Sequence, residues 1–84
     1  MTVDDAHMAA LSMQIALERR SENEASTWTN DLSGNHGRVV PRESYLSDGG
    51  AICRQYDETM TVAGRTYTER RAACRDGDGR WSTT

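Results

Sequence analysis

The stretch from Ala51 to Arg75, AICRQYDETMTVAGRTYTERRAACR, constrains the fold more than any other, because it reads as two strand-like arms folded about Ala63-Gly64. With Ala63-Gly64 as a two-residue loop, pairing outward sets Val62 against Arg65, Thr61 against Thr66, Thr59 against Thr68 and Asp57 against Arg70. The same count brings Cys53 opposite Cys74. Pairs in such a hairpin alternate between hydrogen-bonded and non-hydrogen-bonded, and the cysteines fall at a non-hydrogen-bonded position, close enough for a cross-strand disulfide. This register also sets Glu58 against Glu69, an unfavourable like-charge pair. A bulged or three-residue turn with Gly64 in the left-handed region relieves that clash and shifts the cysteines by one step.

An 84-residue chain is a single domain, residues 1–84, close to the size at which one core barely suffices. Apolar residues make up 36% of it and Phe is absent, so a staple has work to do. A bridge closing a loop of about 20 residues contributes roughly 3 kcal/mol in the chain-entropy picture. The facing cysteines point to an oxidising compartment; the other reading of the pair is two buried thiols. With no C-x-x-C and only His7 and His36 as further ligands, a zinc site is not expected, nor is any other cofactor. A net charge of -3 argues against a nucleic-acid partner. No run reaches the roughly 18 apolar residues of a membrane span, and no secretory signal layout is present.

Residues 4–20 read as a helix capped by Asp4 or Asp5, with Glu18 to Glu22 at its exposed end. Met8, Leu11 and Ile15 form one stripe, and Met13 and Leu17 a second on the far side. The Met13 and Leu17 stripe is a candidate partner contact, weighed against service in the core. Residues 27–83 then read as a meander. Thr27 to Asn30 begins a strand, the turn-rich Asp31 to Gly37 follows, and Arg38 to Val40 returns until Pro41 ends the strand or confines it to an edge. Ser44 to Leu46 extends that arm, the hairpin follows, and Arg80 to Thr83 adds a last strand. The fold class is α+β: an N-terminal helix packed on an antiparallel sheet of four to five strands. On the hairpin, Ile52, Tyr56, Met60, Val62, Tyr67 and Ala73 are assigned to the face that receives the helix, and the threonines with Asp57 and Arg70 to a solvated face.

The inventory for catalysis is thin, and the chain reads as non-enzymatic with no catalytic residues. A thiol nucleophile at Cys53 or Cys74 with His36 as base requires the cysteines to be free. Asp76-Gly77-Asp78-Gly79 has the start of a calcium loop without its later acidic ligands and reads as a tight turn. Arg54, Arg65, Arg70, Arg71 and Arg75 offer either an anion-binding patch or, with Asp57, Glu58, Glu69 and Asp76 among them, an ion-paired sheet surface; Arg54, Arg70 and Arg71 are the candidate partner contacts. Trp28 and Trp81 supply either a binding platform or the bulk of the core.

The succession Trp28, Ser33-Gly34-Asn35, Gly37, Val39, Pro41, Tyr45, Gly50, Cys53-Arg54-x-Tyr56, Thr59, Gly64-Arg65, Ala73-Cys74-Arg75 and Asp78-Gly79-x-Trp81 resembles the C-terminal domain of the 17 kDa surface antigen family, outer-membrane lipoproteins of alphaproteobacteria and their relatives. Asn30-Asp31 replaces the family's usual Asn-Pro, and Arg70-Arg71 its usual aromatic-Gly pair. The resemblance implies an exported, membrane-associated domain with no known enzymatic activity. Family members carry a signal, a lipid-acceptor Cys and a glycine-rich segment ahead of this domain, none of which is in this sequence, so the expectation is an excised domain, a soluble relative or a recruited subunit. Two functional readings follow: a structural or protein-binding domain of the bacterial envelope with an unidentified protein partner, or a soluble inhibitor or accessory subunit docking on a larger complex.

Overall fold

Residues 1–84, described by a computed structural model, run as helix α1 (Val3–Arg19) and strands β1 (Ser26–Thr29), β2 (His36–Leu46), β3 (Ile52–Val62), β4 (Arg65–Arg75) and β5 (Trp81–Thr83). The strands pair antiparallel in sequence order as one five-stranded meander. The β3–β4 hairpin has the two-residue register: Cys53 lies opposite Cys74 and Glu58 opposite Glu69. Ala63 and Gly64 take φ of 52° and 78°, two successive left-handed residues whose twist suits the strands they join.

Helix α1 opens on Thr2 rather than on Asp4 or Asp5. The Asp5 N–H donates to Thr2 Oγ1 at 3.0 Å and the Thr2 N–H to Asp5 Oδ2 at 2.9 Å, a reciprocal cap. The helix ends at Arg19 with no glycine to close it. Instead Arg54 reaches up from β3 and donates to the Leu17 and Arg20 carbonyls, each at 2.9 Å, placing a cation at the negative end of the helix dipole.

The helix meets the sheet through its small residues. Ala9, Ser12 and Ala16 are buried along with Leu17, and Met13 packs against the core. The bulk comes from the sheet: Val39, Tyr56, Ala73 and Trp81 join Ala16 and Leu17 in the main cluster, and Trp28 is buried over β1. Large side chains on one layer thus interlock with small ones on the other. Trp28 sits across Gly37 on β2, where an added Cβ would lie 2.5 Å from the indole Nε1 and 2.9 Å from the Thr59 carbonyl oxygen. Gln14 bonds the backbone of β5 as a strand would, donating to the Trp81 carbonyl at 2.6 Å and accepting its N–H at 2.9 Å.

Of the two readings of Pro41 the edge one holds, and two other sequence expectations are corrected. Pro41 does not end its strand: β2 continues through a bulge between Pro41 and Ser44 to Leu46, the extension expected for Ser44 to Leu46. Pro41 and Tyr56 form a pair whose backbone groups point away from each other, and β1 has already stopped at Ser26, so the missing N–H interrupts no ladder. The Pro41 carbonyl accepts the Asn23 N–H at 2.9 Å. The helix covers only part of the assigned hairpin face, with Tyr56 and Ala73 buried while Ile52 and Tyr67 are each 52% exposed. Leu17, offered as a partner contact, is 2% exposed inside the core, whereas Leu11 on the other stripe is 54% exposed, between the half-buried Met8 and Ile15.

Candidate functional site

Two features dominate the chemistry of the molecule: a buried carboxylate at the start of the helix and the ionic face of the disulfide hairpin. Asp5 has no solvent-accessible surface. Its Oδ1 accepts Asn30 Nδ2 at 2.9 Å and Ser33 Oγ at 2.7 Å; its Oδ2 accepts Asn35 Nδ2 at 2.8 Å and the Thr2 N–H. The side chain of Asn35 then accepts the Ala63 N–H on Oδ1 at 3.0 Å. A single carboxylate therefore joins the helix N-terminus to the β1–β2 turn and, through Asn35, to the tip of the β3–β4 hairpin.

Burial works against the charge of Asp5, but the hydrogen bonds from Thr2, Ser33, Asn35 and Asn30 outweigh it and hold the carboxyl well below the usual range. With all four of its hydrogen bonds made to protein donors, Asp5 has no lone pair free for a substrate proton. It is an anchor, built from a Thr-x-x-Asp cap and the Ser33-Gly34-Asn35 turn. The capping pattern Thr2-x-x-Asp5 was the signal available in the sequence; the long-range partners carry no local signature.

Cys53 and Cys74 are joined in a disulfide with Cα atoms 4.0 Å apart, and no free cysteine remains. A thiol nucleophile paired with the exposed His36 thereby loses its reactive group. The turn at Asp76 uses its carboxylate locally: Oδ1 accepts the Asp78 N–H at 2.9 Å and the Arg80 N–H at 3.0 Å, and the Arg80 bond chiefly keeps its pKa low.

The arginines proposed as contacts separate into two groups. Arg54 is taken up by the helix C-terminus, with its Nε buried and without a partner. Arg70 and Arg71 lie at the surface of β4 on opposite faces. Arg70 and Arg42 both pair with Asp57, and their hydrogen bonds hold that carboxyl below its ordinary value. On the helix side of the sheet, Arg71 stands between Glu69 at 2.8 Å and Glu58 at 3.6 Å. Burial pushes Glu58 upward, partly countered by Arg71 and reinforced by Glu69. Two carboxylates thus share one guanidinium. Arg65, four residues before Glu69 on the same face, pairs with no carboxylate of its own chain. The face is ion-paired, as the mixture of signs in the sequence indicated, with a local excess of negative charge at Glu58 and Glu69.

No helix is long and apolar enough to cross a membrane. The chain matches, over residues 15–82, the model of the family described as 17 kDa outer membrane surface antigen. It is 36% identical over 81 residues to the 17 kDa surface antigen of Rickettsia bellii, covering 96% of this chain and 51% of that protein. The antigen of Rickettsia felis gives the same identity and coverage. That of Rickettsia prowazekii is 35% identical over 77 residues, 92% of this chain and 48% of that protein. No solved structure matches. The chain spans about half the length of these curated relatives. The matched span takes in Trp28, the Ser33-Gly34-Asn35 turn that anchors Asp5, both bridged cysteines and Trp81, and begins after Asp5 itself. The chain belongs to the 17 kDa outer membrane surface antigen family.

Proposed function

We propose that the chain is a non-enzymatic structural and protein-binding domain of the bacterial envelope, exported to the periplasm or outer membrane. The observation that carries this reading is the Cys53–Cys74 bridge at the open end of the central hairpin of a surface antigen family member. A disulfide closing most of the central hairpin is made and kept in an oxidising compartment. The state of the polar groups agrees with a scaffold: Asp5, Asp57 and Asp76 are each held ionised by donors of their own chain. The test is fractionation of the source bacterium with an antibody raised to the domain. Recovery in the envelope fraction is the expected result, and recovery in the cytosol with both thiols alkylatable contradicts the reading.

A second reading, an accessory subunit docking on a larger protein, is favoured by Leu11, exposed on the helix between the half-buried Met8 and Ile15. Under this reading Leu11→Asp abolishes co-purification with the partner while leaving the fold intact.

A further inference from the structure

The sheet leaves one long edge open. β5 pairs with β4 only at Ala73–Arg75, and Thr84 adds a bond to the Ala72 carbonyl at 3.0 Å, so β4 from Arg65 to Arg71 has β3 on one side and solvent on the other. All seven of these residues are exposed. In the hairpin ladder the pairs Val62–Arg65, Met60–Tyr67 and Glu58–Glu69 exchange hydrogen bonds inward, so the backbone N–H and C=O of Thr66, Thr68 and Arg70 point outward. A row of such groups is a template for another strand.

We infer that this edge pairs antiparallel with the same edge of a second copy of the chain, about a two-fold axis at Tyr67. Charge selects the occupant and the register. With Tyr67 opposite Tyr67, Thr66 faces Thr68 in hydrogen-bonded pairs, and Arg65 faces Glu69 on both sides of the axis. The cation that lacks a partner in its own chain meets the carboxylate that shares one guanidinium with Glu58. Shifting the axis to Thr68 sets Arg65 against Arg71, and shifting it to Glu69 sets Glu69 against itself; both are repulsive. Shifting it to Thr66 leaves only three residues to pair. The threonine pairs Thr59–Thr68 at 3.2 Å and Thr61–Thr66 at 2.9 Å then extend into a ladder running across four strands on the far face. Tyr67 and Met60 of each copy form an apolar strip between the two ion pairs on the near face.

The rest of the molecule leaves room for this arrangement. The helix packs against β1, β2 and β5 and does not extend over the outer part of β4. Where β5 ends, a groove of about 390 Å³ opens between Arg70, Arg71 and Thr83–Thr84, at the position the Ala63-Gly64 turn of the second copy reaches in this register. The result is a continuous ten-stranded sheet with both helices on one face, closed by its own symmetry. The inference does not depend on the envelope assignment.

Sedimentation equilibrium of the oxidised 84-residue chain, from micromolar to near-millimolar concentration, tests it. The expected result is a monomer–dimer equilibrium with no larger species, weakened by salt. Thr68→Pro removes the outward N–H, along with the exposed side-chain bond to Thr59, and abolishes the dimer, whereas Thr68→Val, which loses that bond but keeps the N–H, still dimerises. Arg65→Glu and Glu69→Arg each weaken it by about tenfold or more, and the double variant Arg65→Glu/Glu69→Arg restores it, since the pairs re-form with their signs exchanged. A chain monomeric throughout, a dimer indifferent to Thr68→Pro, or a double variant no tighter than the single ones overturns the proposal. Circular dichroism of each variant separates lost pairing from lost folding.

Discussion

Asn35 donates its side-chain N–H to Asp5 at 2.8 Å and accepts the Ala63 N–H at 3.0 Å, so a single amide ties the helix N-terminus to the tip of the central hairpin. Those two ends lie far apart in sequence, and the helix packs against the sheet with mainly small residues. The polar anchor therefore sets where the helix starts on the sheet, while Gln14 and Arg54 set where it finishes.

Asn35→Ala leaves a buried carboxylate oxygen and the Ala63 N–H short of partners. It should cost about 1–3 kcal/mol, read as a lower midpoint in urea with an unchanged slope. The far-ultraviolet spectrum should stay the same, because both elements the bond joins are still formed.

The acid limb of stability should belong largely to Asp5, with Asp57 and Asp76 adding to it. A carboxyl held low in the folded state contributes stability that is complete above its unfolded pKa, about 3.9 for Asp, and is lost as pH falls through the folded value. Glu58 acts with the opposite sign: its raised pKa means that stability falls as pH rises through the window above the ordinary Glu value. Thermal unfolding as a function of pH should show a steep loss below about pH 4, and Asp5→Asn should flatten that loss while lowering stability at neutral pH.

Ala63 holds a φ of 52°, a left-handed conformation that Asn adopts more readily. Ala63→Asn keeps the N–H that Asn35 accepts and should stabilise the domain by about 0.5–1 kcal/mol. Equilibrium unfolding of the two proteins side by side checks the sign.

Gly37→Ala should be among the most damaging single-methyl additions in the chain, because the new Cβ meets both the Trp28 indole and the Thr59 carbonyl. Displacing the indole should cost about 1–3 kcal/mol and shift the tryptophan emission to the red as Trp28 becomes exposed.

The hairpin was legible because its register follows from counting: a two-residue loop fixes every opposed pair, including Cys53 with Cys74. The choice of helix face was not. Two apolar stripes competed for the sheet, and the one singled out as the partner contact, Met13 and Leu17, is the one that turns inward, because Tyr56, Ala73 and Trp81 receive it beside the small Ala9, Ser12 and Ala16. That is a property of two layers together, which no single stretch encodes. Pro41 left two readings open for a related reason, since whether its missing N–H matters depends on where β1 stops. The Asp5 network joins Thr2, Asn30, Ser33, Asn35 and Ala63, residues that look like separate caps and turns until the chain brings them together.

The central claim is that this is a disulfide-built domain of an oxidising compartment. It is tested most directly by the intact mass of the protein isolated from its own cells and alkylated under denaturing conditions without reductant. The account predicts no added alkyl groups until a reductant is supplied, and then two. Two alkyl groups added at once would mean that Cys53 and Cys74 are free thiols in the cell, and would contradict both the bridge and the envelope reading built on it.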